Sequence, residues 1–248
     1  MNNQMALERW RTHPEVEEQM KQQLETIDHK ELFGRTLSFG TGGVRGVMGP
    51  GPNRMNLFTA RNIARALADH LKEYVRELRV AIAYDSRMAS ATLAQEMARV
   101  LADNGIHVSI FNELMPTPLL SFAVRKLEAD AGVVITASHN PPEYNGIKIY
   151  NADGAQITET MATDIAARLK PEAEVMAGTY TSFHDLLERE LITYMPDDVL
   201  TTYSEHVARL SLSDARDVRI VFTPLHGTAY RPMQQLFADT GFRDVHYV

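Results

Sequence analysis

Apolar positions between residues 57 and 135 alternate between two rhythms. Ile63, Leu67, Leu71 and Val75 recur at helical spacing, with Arg61, Arg65, Lys72 and Arg76 on other faces, which predicts an amphipathic helix. Arg79-Val-Ala-Ile-Ala-Tyr84 is a short apolar run that predicts a buried strand, and it ends in Asp85-Ser86-Arg87. A second helix follows, with Leu93, Met97, Val100 and Leu101 inward and Asn104-Gly105 closing it. His107-Val-Ser-Ile-Phe111 predicts the next strand, residues 115–118 a loop and residues 119–127 a third helix. Ala131-Gly-Val-Val-Ile135 predicts another buried strand. Strands alternating with helices through short connections predict an α/β fold, a mixed, mostly parallel sheet sandwiched by helices.

The flanks read differently. Residues 1–30 are helical in pattern and charged, and read as a packing arm. Within them Thr12-His-Pro-Glu-Val-Glu-Glu18 offers a cap, a proline near a first turn and acidic residues at a helix's positive end. Residues 39–52 are too rich in glycine and proline for a helix interior and read as a loop whose backbone can approach a ligand closely. Residues 157–169 and 181–191 predict further helices, and residues 203–210 read as the start of a second unit. A strand at 218–222, the turn Thr223-Pro-Leu-His-Gly-Thr228, a helix stopped by Gly241 and a strand at 245–248 make one β-α-β unit. The expected division is residues 1–195 as one domain and 196–248 as the beginning of a second, similar α/β domain. A single β-α-β unit has too little core to stand as a finished domain.

In open α/β sheets, ligand-contacting loops gather at the carboxyl ends of the strands. Asp85-Ser86-Arg87, Pro116-Thr117-Pro118 and Ser138-His139-Asn140 are therefore expected on one edge, as parts of a composite site. The densest chemistry lies in Thr136-Ala-Ser-His-Asn-Pro-Pro-Glu-Tyr-Asn-Gly-Ile-Lys-Ile-Tyr150. A hydroxyl, an imidazole and an amide leave a strand together, and Lys148 returns on a second short strand. That grouping can hold a nucleophile, a proton carrier and a phosphate-neutralising charge close together. Taken singly, each residue has an ordinary explanation: Ser138 as a turn or cap serine, His139 as a solvated side chain, Lys148 as a surface lysine. Arg45 suits a bidentate grip on phosphate oxygens, or a surface position beside flexible glycines. Arg87 suits phosphate binding, or bracing of the loop through Asp85. Asn140 and Asn145 suit turn shaping, and His226 suits packing.

Composition narrows the partners. Lys and Arg number 25 against 32 Asp and Glu in 248 residues, a formal charge of −7, which argues against a general nucleic-acid surface. An anionic ligand must then be held by a local cationic pocket. Hydrophobic residues at 44% and charged residues at 23% fit a globular chain, and the absence of cysteine excludes disulfides and thiolate metal sites. No apolar stretch approaches a membrane span and the first residues lack a signal-peptide core, so a cytoplasmic location is expected.

Four separated motifs, in order, resemble those of the α-D-phosphohexomutases, the phosphoglucomutase and phosphomannomutase family. Gly40-Thr-Gly-Gly-Val-Arg-Gly46 is similar to the family's amino-terminal arginine loop, and Tyr84-Asp-Ser-Arg87 to the strand-end segment bordering its site. The stretch from Thr136 to Tyr150 resembles the phosphoserine loop, and Thr223-Pro-Leu-His-Gly227 the start of the second domain. The resemblance implies intramolecular phosphoryl transfer on a sugar phosphate, hexose 1-phosphate to hexose 6-phosphate. A phosphoserine at Ser138 and a bisphosphate intermediate would carry it, with a sugar 1,6-bisphosphate as primer. It also implies Ser138, His139, Lys148 and Arg45 as the catalytic set. Thr41, Gly42, Gly43, Arg87 and Asn140 would bind phosphate, and magnesium (Mg2+) would sit on the Ser138 phosphate. Lys148 suits either the spreading of transition-state charge or the base, which needs a lowered pKa that nearby arginines can supply; His139 could instead shuttle protons or simply bond to the phosphate.

The sequence departs from the family in what it lacks. The Asp-x-Asp-x-Asp-Arg loop that supplies the other metal ligands is not in this sequence; Asp197-Asp198 and residues 214–217 lack the spacing and the flanking strand. The family's sugar-selecting loop and carboxyl-terminal phosphate-clamping domain are missing too. The chain is therefore expected to be an amino-terminal part whose partners include the remaining domains of a longer chain. Alternatives are a phosphopentomutase or sugar-bisphosphate synthase of the same family, or a non-catalytic sugar-phosphate-binding fragment. A nucleotide-binding α/β protein ranks lowest, because the loop 40–46 does not join a strand directly to a helix.

Overall fold

The computed structural model describes residues 3–40, 42–73 and 77–248, so Thr41, Val75 and Arg76 lie outside the described residues. The arm is three short helices, α1 (Asn3–Thr12), α2 (Glu18–Thr26) and α3 (His29–Phe33). Thr12 ends α1 instead of capping the next helix: its hydroxyl donates back to the Glu8 carbonyl at 2.9 Å. Leu7, Trp10, Val16, Leu24 and Leu32 of the arm bury against Phe58, Val175 and Met176.

A strand, β1 (Gly43–Val47), stands where the glycine content predicts only loop. The expected alternation then follows in α4 (Leu57–Leu71), β2 (Arg79–Tyr84), α5 (Ser90–Asp103), β3 (His107–Ile110), α6 (Thr117–Lys126) and β4 (Ala131–Ile135). Next come β5 (Tyr144–Asn151), α7 (Glu159–Ala167), α8 (Glu172–Met176), α9 (Phe183–Glu188) and β6 (Ile192–Tyr194). The remainder is α10 (Asp198–Ala208), β7 (Ile220–Phe222), α11 (Tyr230–Asp239) and β8 (Val245–Tyr247). Local chemistry sets several boundaries. The Asn56 side chain accepts from the Thr59 amide at the start of α4, and its own amide donates to the Gly49 and Gly51 carbonyls. Thr158 and Ser182 cap α7 and α9 in the same manner.

The six-stranded sheet runs β1-β5-β4-β2-β3-β6. β4, β2, β3 and β6 are parallel, β5 is antiparallel to β4, and β1 is antiparallel to β5. One face carries Ile82, Val133, Ile135, Ile147 and Ile149 under α4 and α5; the other carries Ala81, Ala83, Val134 and Tyr150 under α6 and α10. Both faces are covered, which is why the parallel strands read as continuous apolar runs. α10 begins at Asp198, ahead of the expected start at residue 203. Its Val199 and Leu200 are buried with Leu119 and Leu120 of α6, and Ser204 donates to Asp239 of α11 at 2.7 Å. β7 and β8 form a separate parallel pair.

Arg61, which the sequence reading sets on a face away from the apolar stripe of its helix, is buried. It is 1% exposed and lies between the rings of Phe58 and Tyr180, at 5.2 and 5.1 Å. Its guanidinium pairs with Glu15 of the arm and with Glu96 of α5, each at 2.5 Å. Burial is tolerable because two carboxylates and two π-faces replace the lost water.

Candidate active site

β4 releases the chain at the carboxyl edge of the sheet, and the loop after it takes a conformation that side chains rarely adopt. Ser138 has φ of 57°, in the left-handed region, and its side chain is exposed. Its N–H donates to Thr136 Oγ1 at 2.9 Å, and its Oγ lies 3.4 Å from His139 Nδ1. The hydroxyl is thus presented outward from a fixed peptide, with an imidazole beside it.

Arg87 fixes that peptide. Its Nη2 donates to the Ser138 and Asn140 carbonyls and its Nη1 to those of Pro141 and Tyr144, between 2.5 and 2.9 Å. Asp85 orients it, accepting the Arg87 N–H at 3.0 Å and lying 3.6 Å from Nε. Ser90 Oγ donates to the same Asp85 at 2.7 Å and accepts from Asn145 Nδ2 at 2.9 Å. Asn145 is fully buried and also donates to the Met88 carbonyl, beside Ala89 at φ of 62°. Two strained loops, after β2 and after β4, are therefore held by one polar network. Ser90 is a member that the sequence reading missed; nothing in its spacing from Asp85 or Asn145 announces the contact.

β1 and β5 bring up the cations. Arg45 pairs in register with Gly146, and Gly43 with Lys148, so Arg45 and Lys148 lie diagonally on one face of the sheet. Arg45 Nη1 donates to Asn140 Oδ1 at 3.4 Å, which ties the edge strand to the serine loop. Burial, and secondarily the charge of Arg45, lower the pKa of Lys148 from its ordinary value. Both residues line a pocket of about 260 Å³ with Ser38, Gly42, Gly43 and Gln156. Gly43 permits the approach: a Cβ there would lie 2.0 Å from the Ile147 carbonyl oxygen. Ser38 and Gln156 were not legible as lining residues, because only the β1–β5 register places them.

Residues 116–118 follow β3 at the same carboxyl edge, where the Met115 N–H donates to the Tyr84 carbonyl at 3.1 Å, but they are taken up in starting α6, with Pro116 as its N-cap. The His226 side chain is exposed and not packed; its carbonyl accepts from Ser86 Oγ at 2.7 Å, which joins the loops after β2 and β7.

Residues 36–176 match the family model described as phosphoglucomutase/phosphomannomutase, alpha/beta/alpha domain I. The chain belongs to the phosphoglucomutase/phosphomannomutase family. Among similar proteins, a phosphoglucomutase of Staphylococcus saprophyticus is 39% identical over 213 residues, covering 86% of this chain and 39% of its own length. A phosphoglucomutase of Staphylococcus aureus is 36% identical over 231 residues, 92% of this chain and 41% of the relative. The crystal structure of a provisionally named phosphomannomutase from Thermus thermophilus superposes with a TM-score of 0.71 at 29% identity, over 86% of this chain and 46% of that one. The chain thus spans about two fifths of the length of these curated family members.

Magnesium, which the family implies, does not find a complete ligand set here. Among the described residues no group of three or more His, Asp or Glu side chains converges on one point. Asp85, the carboxylate tied to the serine loop, is occupied by Arg87 and Ser90. Ser138 alone offers one oxygen position, short of the six that magnesium demands. No described helix is long and apolar enough to cross a membrane.

Proposed function

We propose that this chain is the phosphoryl-carrying part of a hexose phosphate mutase acting between hexose 1-phosphate and hexose 6-phosphate in the cytoplasm. In that reading a free hydroxyl of the bound sugar phosphate attacks the phosphorus on Ser138. The bond from phosphorus to Ser138 Oγ breaks as the bond to the sugar oxygen forms, which leaves a sugar 1,6-bisphosphate and a free serine. The second half-reaction returns the other phosphoryl group to Ser138. Lys148, favoured toward its neutral amine, accepts the proton of the attacking hydroxyl, and His139 handles the proton at Ser138 Oγ. Arg45 spreads the charge developing on the transferred group. Gly42 and Gly43 admit phosphate close to the backbone, Asn140 holds Arg45 toward the loop, and Arg87 keeps the Ser138 peptide in place. The described residues alone supply too few ligands to hold magnesium. The reading divides the chain near residue 195, with residues 196–248 opening a second domain of a longer chain.

One observation carries it: an outward serine at a strained strand end, whose loop is tied through Asn140 to Arg45, with a lysine of lowered pKa beside that arginine on the adjoining strand. Incubation of the protein with glucose 1,6-bisphosphate, followed by intact mass and peptide mapping, should find one phosphoryl group on Ser138 and none on the Ser138→Ala variant. The protein from its own cells should convert glucose 1-phosphate only with Ser138 present. Full activity in Ser138→Ala would sink the mechanism.

That no carboxylate set converges among the described residues favours a second reading, a sugar-phosphate-binding module that does not turn over. Saturable binding of glucose 1-phosphate, with Ser138 remaining unphosphorylated, is its signature.

A further inference from the structure

On the far side of β1 from the Ser138 loop, a cavity of about 360 Å³ opens between α4, the end of α7 and α8. That volume is at the small end of the range for ligand sites, which runs from roughly 300 to 1,000 Å³. Leu37, Val44, Phe58, Ile63, Leu169 and Val175 form an apolar floor and wall. Six polar residues stand around it: Asn56 and Thr59, which are spent on the start of α4, and Thr36, Asn62, Lys170 and Glu172.

The polar groups are not equivalent. Asn62 is spent on the backbone of Lys170, donating to its carbonyl at 2.8 Å and accepting its N–H at 2.9 Å. This two-point clamp fixes Lys170 beside the opening. Its ammonium makes no hydrogen bond or ion pair among the described residues. The Glu172 side chain is only 9% exposed, accepts from Trp10 Nε1 at 2.9 Å and lies 3.7 Å from Arg9. Burial raises its pKa, so its charge is both countered and disfavoured. The cavity therefore combines an apolar body with one uncommitted cation at its rim.

We propose that this cavity binds a small amphipathic carboxylate, its alkyl body against Phe58, Ile63 and Leu169 and its carboxylate on Lys170. The site does not depend on the mutase reading, and its test reads binding alone. Trp10, the single tryptophan of the chain, reports on it, because it bonds Glu172 and packs edge-on to Phe58 at 5.1 Å.

Titration with octanoate, hexanoate, octanol and octylamine, followed by Trp10 fluorescence and by calorimetry in parallel, tests the site. Octanoate should bind saturably and roughly 15-fold more tightly than hexanoate, since each buried methylene contributes about fourfold. Lys170→Glu, at an exposed position, should weaken octanoate by about tenfold while leaving octanol unchanged. Ala166→Phe, which fills the cavity, should weaken both. The proposal is overturned if octanoate gives neither heat nor a fluorescence change, or if Lys170→Glu leaves its affinity intact. It is equally overturned if octylamine binds more tightly than octanoate, which would make Glu172 the recognising group.

Discussion

Arg87 donates through Nη2 to the carbonyl oxygen of Ser138 at 2.8 Å, so a residue of one strand-end loop holds the peptide that presents the candidate nucleophile on another. The contact is to backbone, and the remaining acceptors of the guanidinium's Nη atoms are backbone as well. Arg87 is thereby placed as a brace of the loop, one of the two roles its sequence position allowed.

Replacing Arg87 by alanine removes the guanidinium donor from four carbonyls, of which Pro141 keeps the Tyr144 N–H, in a loop whose φ of 57° at Ser138 is already unfavourable. Arg87→Ala should lower stability by about 2–4 kcal/mol, read from urea unfolding. Arg87→Lys should rescue little of it, because an ammonium lacks the planar fork that spans all four acceptors. Phosphoryl loading of Ser138 should fall with both variants. Wild-type stability in Arg87→Ala would remove the bracing role.

Lys148 gives a pH dependence of definite sign. Its folded-state pKa lies below the ordinary 10.5, first through burial and second through Arg45. The unfolded chain therefore holds this proton more tightly. Below the folded pKa the charged lysine costs stability, and the cost is relieved as pH rises from the folded value toward 10.5. Lys148→Met should flatten that alkaline rise in urea unfolding, while abolishing hydroxyl deprotonation in transfer. Arg45→Gln should raise the Lys148 pKa only in part, since burial, the larger cause, stays. An unshifted Nζ titration by NMR in Arg45→Gln would show that the two cations do not communicate.

The α/β alternation was legible because buried parallel strands and amphipathic helices have different apolar periods, and residues 79–135 keep to them. β1 was hidden because its glycines remove the apolar signal; Gly43 and Gly46 sit in a strand whose pairing comes from β5, far along the chain. α8 was missed because five residues after Pro171 are too short to show a period. Within the site, Ser138, His139 and Lys148 were visible as one local cluster. The link from Ser90 to Asn145 and the burial of Arg61 against Glu96 were not, since each joins residues 35 or more apart with ordinary neighbours.

Gly43 and Gly105 make a matched pair of tests for the edge strand. A Cβ on Gly43 would lie 2.0 Å from the Ile147 carbonyl oxygen and 2.9 Å from Lys148 Cα, both backbone, so β1 must separate from β5 to admit it. Gly43→Ala should cost about 3 kcal/mol and detach Arg45 from the site. Gly105, at φ of 79°, has nothing within 4 Å of such a Cβ. Gly105→Ala should therefore show only the left-handed backbone penalty, about 1 kcal/mol, with Ser138 loading intact. Equal costs in the two variants would mean that the β1–β5 approach is not the constraint.

The arm's attachment is the last test, and acid should loosen it. Hydrogen bonding from Arg61, opposed by burial, holds the Glu15 carboxyl below its ordinary 4.5. A lowered carboxylate pKa stabilises the fold above the unfolded value, and the contribution disappears as pH falls through the folded value. Glu15→Gln should remove part of the acid limb in unfolding followed from about pH 7 to about pH 3, with little change in slope above it. Arg61→Ala should be more damaging, about 3 kcal/mol at neutral pH, because among the described residues Glu96, at 5% exposure, then keeps only Arg99 as a partner. The arm should then be released before the sheet. Limited proteolysis near residues 13–17 would become faster in Arg61→Ala while Trp10 fluorescence shifts toward its exposed value. Cleavage at the wild-type rate would show that the apolar contacts of Trp10 and Leu24 hold the arm without the buried charge.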